Sequence, residues 1–247
     1  MVFDNILESD IIDVTINHNT RLEIKEEKVR LKKYLGLVLD HKLKFTDHIN
    51  YIEKKIAKRI GAMYKSKNLL PLKYRKMFAN ALMLPYFDYL DIICNKTTKT
   101  KLHELDILYK KGAKIALDYD RMESSKKVYL DMKWLPLHLR RQLHMSTYMY
   151  KVINGMSPPQ IRDKFVYISG GSRDGEICNL YTKKSRTHKQ FYYLGAKCWN
   201  ILPQELRQAE SVKQFSTMLK EKLIHYIEID DNYLVDNTHD KIYQLCD

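Results

Sequence analysis

Six cations crowd one short stretch of this 247-residue chain: Lys54, Lys55, Lys58, Arg59, Lys65 and Lys67. Such side chains neutralise phosphates, so the cluster suits a surface that grips a polyanion's backbone without reading base sequence. Other constellations are incomplete. Asp88 and Asp91, three apart on an expected helix, can share a face, but acid–base work by paired carboxylates needs further polar company. A capping or structural role near Lys73 or Lys76 suits them better. Ile229-Asp230-Asp231 sets two acids together in an acidic tail with no converging partners for a metal. Gly170 and Gly175 are followed by Glu176 and Ile177, where a phosphate-cradling loop needs Lys and a hydroxyl. The nine histidines include no HExxH, and His138 and His144 are wrongly spaced for one helix turn. These residues lead us to expect no catalytic group, no metal ligand and no cofactor.

The elements that must hold the cations are readable from periodicity. Ile49, Ile52, Ile56, Ile60 and Met63 are spaced 3, 4, 4, 3, one face of a helix beginning near Phe45. Thr46 is its expected N-cap, and Asp47 suits the positive helix start. The cations fall on the other face. Pro71 opens a second helix through Tyr74, Met77, Phe78 and Leu82, which Pro85 kinks or divides. Leu102, Leu105, Tyr109, Gly112 and Ala116 mark a third helix, with Lys110, Lys111 and Lys114 nearby.

Upstream, Ile12, Val14 and Ile16 alternate with polar residues, and Val29, Leu31 and Tyr34–Leu39 supply a second β segment. His18-Asn19-Thr20 signals a turn, and Gly36 a bulge or close backbone approach. Downstream, Asp118–Ser125 reads as a polar break. A helix from Leu137 to about Ile153 stops at Asn154-Gly155, residues 168–189 read as loop, and Ser211 caps a last helix with Val212, Phe215, Leu219 and Leu223 inward. Trp134 and Trp199 read as core anchors. Tyr64 beside Lys65 and Lys67, Tyr74 beside Arg75, and Tyr192 near Lys189 fit the interleaved aromatic and basic pattern of strand-binding surfaces.

Composition narrows the class. With 45% hydrophobic and 30% charged residues, the chain has core-forming material for one domain or two small ones. Eight glycines and six prolines favour long helices over tight turns. No apolar run reaches the roughly 18–20 residues of a membrane span, and no secretory signal opens the chain. Cys94, Cys178, Cys198 and Cys246 form no CxxC pair, so we expect free thiols in a reducing compartment. The expectation is an intracellular protein, in nucleus or cytoplasm, neither secreted nor membrane-bound. The net charge of +13 is uneven: residues 1–20 carry −4, residues 226–247 carry −5, and the body between carries +22. So basic a body attracts polyanions, chiefly nucleic acid.

Three stretches carry a further signal. Tyr34-Leu35-Gly36-Leu37-Val38-Leu39-Asp40-His41-Lys42-Leu43-Lys44-Phe45-Thr46-Asp47-His48-Ile49 is the first. Leu84-Pro85-Tyr86-Phe87-Asp88-Tyr89, followed by Leu102–Leu117, is the second. Gly195-Ala196-Lys197-Cys198-Trp199-Asn200-Ile201-Leu202-Pro203-Gln204-Glu205-Leu206-Arg207, then Phe215 and Leu219-Lys220, is the third. In this order they resemble the C-terminal part of the non-LTR (LINE-type, Jockey- and CR1-like) retrotransposon reverse transcriptases. Tyr150–Gly155 through Pro158-Pro159 to Phe165 is similar to an intermediate block of that family. The likeness spans roughly residues 1–225. It departs at Lys110 and Lys111, where the family more often has Gln and Asn, and it finds no counterpart for residues 226–247.

The resemblance implies an α+β chain, mostly α-helical. A small palm-edge, primer-grip-like β remnant (1–44) precedes a thumb-like helical bundle (45–120), a C-terminal helical region (121–225) and an acidic tail (226–247). It makes Tyr34, Leu35 and Gly36 the primer-grip-like turn. It sets the six cations on a thumb that binds RNA–DNA hybrid or duplex nucleic acid non-specifically. Self-association is a further expectation, through apolar faces that a palm would cover. In this family an Asp-Asp turn holding two divalent metals precedes the Tyr34 segment. Only 33 residues precede Tyr34 here, and they contain no Asp-Asp pair. The expectation is therefore an RNA-directed DNA polymerase fragment without its metal-binding carboxylates, Mg²⁺ belonging to the parent family only. The alternatives are a structural or protein-interaction module, a relic without a nucleic-acid role, or a truncated gene model of an active polymerase.

Overall fold

A computed structural model describes residues 12–15, 21–24, 31–40, 43–89, 91–94, 97–167, 177–179 and 191–234. The fold is α+β and mostly helical. Residues 1–43 and 44–247 form two compact units.

The first unit contains two antiparallel hairpins. β1 (Ile12–Thr15) pairs with β2 (Arg21–Ile24), Val14 opposite Leu22. β3 (Leu31–Tyr34) pairs with β4 (Leu37–Asp40), Tyr34 opposite Leu37. The expected single β segment over 29–39 is therefore two strands, and the turn signal at 18–20 lies outside the described residues. Leu35 and Gly36 join β3 to β4 with φ of 45° and 84°. Positive φ at both central positions is the two-residue turn whose twist matches paired strands. Gly36 thus sits in a turn, as the resemblance implies for Tyr34, Leu35 and Gly36, and not in a bulge, and Leu35 adopts a left-handed conformation that costs an L-residue something.

The second unit is built on buried helical faces. α1 (Thr46–Ser66) buries Ile49, Ile52, Ile56, Ile60 and Met63, the face that its spacing predicts. Its N-cap is Phe45 at φ 59°, with no side-chain cap, so Thr46 is the first helical residue instead of the expected cap. α2 (Leu72–Leu82) follows Pro71, which sits just outside it. Pro85 does divide the next stretch, giving the short α3 (Leu84–Asp88) and α4 (Asp91–Cys94).

α5 (Lys99–Leu117) is capped by Thr98, whose side chain accepts from the Lys101 amide. It buries Leu102, Leu105, Tyr109, Gly112 and Ala116 against α1 and α2. Gly112 lets Met83 pack closely: a Cβ there would fall 1.9 Å from Met83 Cε, so that side chain would have to shift. The expected polar break at 118–125 is the connection between α5 and α6 (Ser125–Met132), whose first residue is the break's last.

α7 (Leu137–Ile153) stops at Asn154 and Gly155, the latter at φ 72°. A short α8 (Pro159–Arg162) leads to β5 (Phe165–Tyr167), which pairs with β6 (Ile177–Asn179) inside the span expected to be loop. α9 (Phe191–Asn200), α10 (Gln204–Arg207) and α11 (Val212–Ile229) complete the unit, with a 3-10 turn at Asp231–Leu234. Ser211 caps α11, its hydroxyl accepting from the Gln214 amide. α11 carries the chain past residue 226, so the start of the acidic tail is helical, with Ile227 buried.

Two aromatic clusters knit these helices. Tyr109 stacks on Trp134 (4.7 Å between centroids), meets Phe87 edge-on (4.9 Å), and donates to the Leu135 carbonyl (2.9 Å). Burial pushes its phenol pKa far up. Trp199, Tyr150 and Phe215 stack among Leu139, Leu219 and Leu223. Both tryptophans are core anchors, Trp134 donating to Asn80 Oδ1 at 2.7 Å.

Candidate nucleic-acid interface

α1 sorts its six cations into two sets. Arg59 is committed to the protein: its guanidinium lies over the Tyr86 ring at 4.1 Å, donates to the Tyr86 hydroxyl, and donates to the Lys55 carbonyl at 3.0 Å. Lys67 pairs with Asp118 at 2.8 Å across 51 residues. The hydrogen bond that Lys67 donates to Asp118 holds the ammonium above the usual lysine value and the Asp118 carboxyl below the usual carboxylate value. Lys55 lies 5.5 Å over the Tyr51 ring.

Lys54, Lys58 and Lys65 form the other set. All are exposed, and among the described residues none takes them as a hydrogen-bond or ion-pair partner. At 3.6 residues per turn they fall within about 40° of one another and span about 16 Å of helix axis. Between them lie Ala57 and Gly61, both exposed. Gly61 has open space where a Cβ would stand, so no packing within the chain requires a glycine there. The result is a smooth, positively charged ridge. Tyr64, 61% exposed with Lys67 at 5.5 Å from its ring, flanks this ridge.

The remaining sequence candidates scatter. Tyr34 (58% exposed) and Leu35 (74% exposed) project at the β3–β4 turn with Gly36, in the other unit. Tyr74 is exposed on α2, while Tyr192 packs among Phe165 and Phe191, its expected neighbour Lys189 lying outside the described residues. Asp88 and Asp91 are on separate helices and meet neither Lys73 nor Lys76. Asp88 takes Arg140 and Asp91 takes His144 (2.7 Å), both on α7. Asp231 pairs with Lys126 at 2.8 Å, and Asp230 accepts from the Asn232 amide. Among the described residues no group of three or more His, Cys, Asp or Glu converges as a metal site. No helix among them is long and apolar enough to cross a membrane. Cys198 is a free, buried thiol.

Sequence reasoning missed the ties of α7 to the α3–α4 segment, because no local pattern announces a pair 52 residues apart. It also missed which of the α1 cations are spent internally, since that depends on where Tyr86 and Asp118 come to rest. No protein-family model matches the chain, and no curated protein or solved structure matches it.

Proposed function

We propose that this chain is a retrotransposon-derived reverse transcriptase fragment that binds RNA–DNA hybrid or duplex nucleic acid through its backbone and adds no nucleotides itself. The observation that carries the binding is the alignment of Lys54, Lys58 and Lys65, exposed and without partners among the described residues, on one face of a 21-residue helix. A rigid helix holding cations in line presents charge to successive phosphates with little to order on contact. The +22 charge of residues 21–225 supplies the wider attraction. The origin in a reverse transcriptase rests on the motif resemblance alone.

Filter binding of the full chain to RNA–DNA hybrid tests this. Micromolar or tighter binding at low salt is expected, with a steep loss between about 50 and 200 mM. No binding at low salt refutes the reading. Primer extension with Mg²⁺ or Mn²⁺ is expected to give no product, and processive synthesis overturns that part.

A second reading, a self-associating module, is favoured by one observation. α2 buries only Ala79 and leaves Leu72, Tyr74, Met77 and Leu82 44–55% exposed. Light scattering decides it: self-association that added nucleic acid leaves unchanged favours this module.

A further inference from the structure

The end of α6 and the middle of α11 bound a cleft of about 560 Å³. Lys220 lines it, half-buried, with Leu130 of α6 and Ile224 of α11 as apolar wall. Among the described residues no acceptor or carboxylate pairs with the Lys220 ammonium. The helix explains this. The side chains one turn away on α11 are Ser216, Thr217, Leu223 and Ile224, none of them acidic. Of the two acids on the wall, Glu228 lies 3.6 Å from His225, and Glu221, the next residue, points roughly 100° round the helix from Lys220. What Lys220 does have beside it is positive charge. Its charged neighbours are Arg140 of α7 and Lys133, which caps the end of α6, and the acid near them, Asp88, is already taken by Arg140.

A lysine withdrawn from water and set next to other cations is the arrangement that turns an inert ammonium into a nucleophilic amine. Burial first, then Arg140 and Lys133, hold the Lys220 pKa below the usual lysine value, against the pull of Asp88. The volume falls within the roughly 300–1,000 Å³ of small-molecule sites, and Leu130 and Ile224 offer a surface for a flat carbon body. We propose that this cleft binds a small aldehyde and that Lys220 is its nucleophile. The amine nitrogen bonds to the carbonyl carbon while one N–H proton passes to the carbonyl oxygen. The hydroxyl so formed leaves as water with the second proton, and an imine remains. Nothing is oxidised or reduced. The hydroxyls of Ser216 and Thr217 and the Glu221 carboxyl line the same space and can relay those protons. No wall of the cleft belongs to α1, so the site does not depend on nucleic-acid binding.

The test treats the full chain with pyridoxal, traps imines with cyanoborohydride and reads each lysine peptide by mass spectrometry. Lys220 is expected to carry roughly tenfold more adduct than the exposed Lys54 or Lys58, at a rate that saturates with pyridoxal while theirs rises linearly. Equal labelling, or a linear rate at Lys220, overturns the proposal. Pyridoxine has an alcohol in place of the aldehyde. It should slow labelling at Lys220 and leave Lys54 unchanged, and failure to protect Lys220 overturns the binding. Lys220→Arg keeps the positive charge but offers no amine that condenses, so the saturable imine absorbance should vanish at an unchanged unfolding midpoint. An undiminished absorbance overturns the assignment of the nucleophile. Thr217→Trp, at an exposed position on the wall, should fill the cleft and bring Lys220 down to the level of Lys54, and retained selectivity overturns the cleft as the site. The triple variant Lys54→Ala, Lys58→Ala, Lys65→Ala keeps the labelling at Lys220, so failure of this site and failure of hybrid binding are read separately.

Discussion

Asp88 and Arg140 face each other fork to fork: Nη2 donates to Oδ2 at 2.6 Å while Nε donates to Oδ1. One turn further along α7, His144 Nδ1 meets Asp91 Oδ2 at 2.7 Å. These two acids, for which the sequence favours a structural role over acid–base work, are fasteners between the α3–α4 segment and α7, with Arg140 and His144 in place of the expected Lys73 or Lys76. The Arg140 side chain is 13% exposed and that of Asp88 28%. Asp88→Ala strands a mostly buried guanidinium and should cost about 2–3 kcal/mol, slightly below a fully buried pair. Urea unfolding measures this. Asp88→Leu with Arg140→Met should recover most of the loss, and a single variant as stable as wild type would show the pair to be idle.

On α1 the two sets of cations should separate in binding. Lys54→Ala, Lys58→Ala and Lys65→Ala together should lower the slope of log K against log salt by about two to three, near 0.9 per phosphate contact. Stability should stay within about 0.5 kcal/mol, as for exposed positions away from special features. Arg59→Ala should do the reverse, loosening the Tyr86 contact with less effect on the slope. Identical slopes for wild type and the triple variant would remove the ridge from the interface.

Two glycines inside helices should respond oppositely to alanine. Gly61→Ala adds a methyl in open space and should stabilise by about 0.5–1 kcal/mol. Gly112→Ala drives a methyl into fully buried Met83 and should cost about 1–3 kcal/mol despite the better helix propensity. Unfolding midpoints of the two variants settle this, and a shift of the same sign in both would contradict the packing described.

Acid should weaken the fold through His48. Burial holds its folded-state pKa below the ordinary 6.5. The unfolded chain then takes up the proton first. Its contribution is complete above the unfolded value and is lost as pH falls from there toward the folded one. Unfolding free energies from about pH 7.5 to about pH 5 should decline more steeply for wild type than for His48→Gln. Parallel curves would assign the acid sensitivity elsewhere.

Cys198 is 1% exposed, and burial pushes its thiol pKa up to about 12. Native chain treated with iodoacetamide near neutral pH should leave its peptide unmodified, while denatured chain is labelled. Mass spectrometry of the digest reads this directly, and native labelling would mean that α9 opens readily.

The helices were largely legible where one apolar face met one core. The 3, 4, 4, 3 spacing on α1 and the Leu102–Ala116 pattern on α5 predict the residues that are buried, and Leu137–Ile153 is a helix at the expected bounds. Legibility failed where a short or polar segment takes its structure from neighbours. Ser125–Met132 has too few residues to show a period, and Ile177–Asn179 is a strand only because Phe165–Tyr167 lies beside it. On α2 the residues Tyr74, Met77 and Leu82 trace the expected helix but do not mark a buried face, since all three are exposed. At the candidate interface, residue type singled out α1, but whether a cation is available or spent depended on Asp118 and Tyr86, remote in the chain.

The stacking of Tyr109 on Trp134, sealed by the hydroxyl bond to Leu135, bridges the polar connection at 118–124. A protease nick there should leave both pieces holding together, since neither fragment keeps its own lining once the other departs.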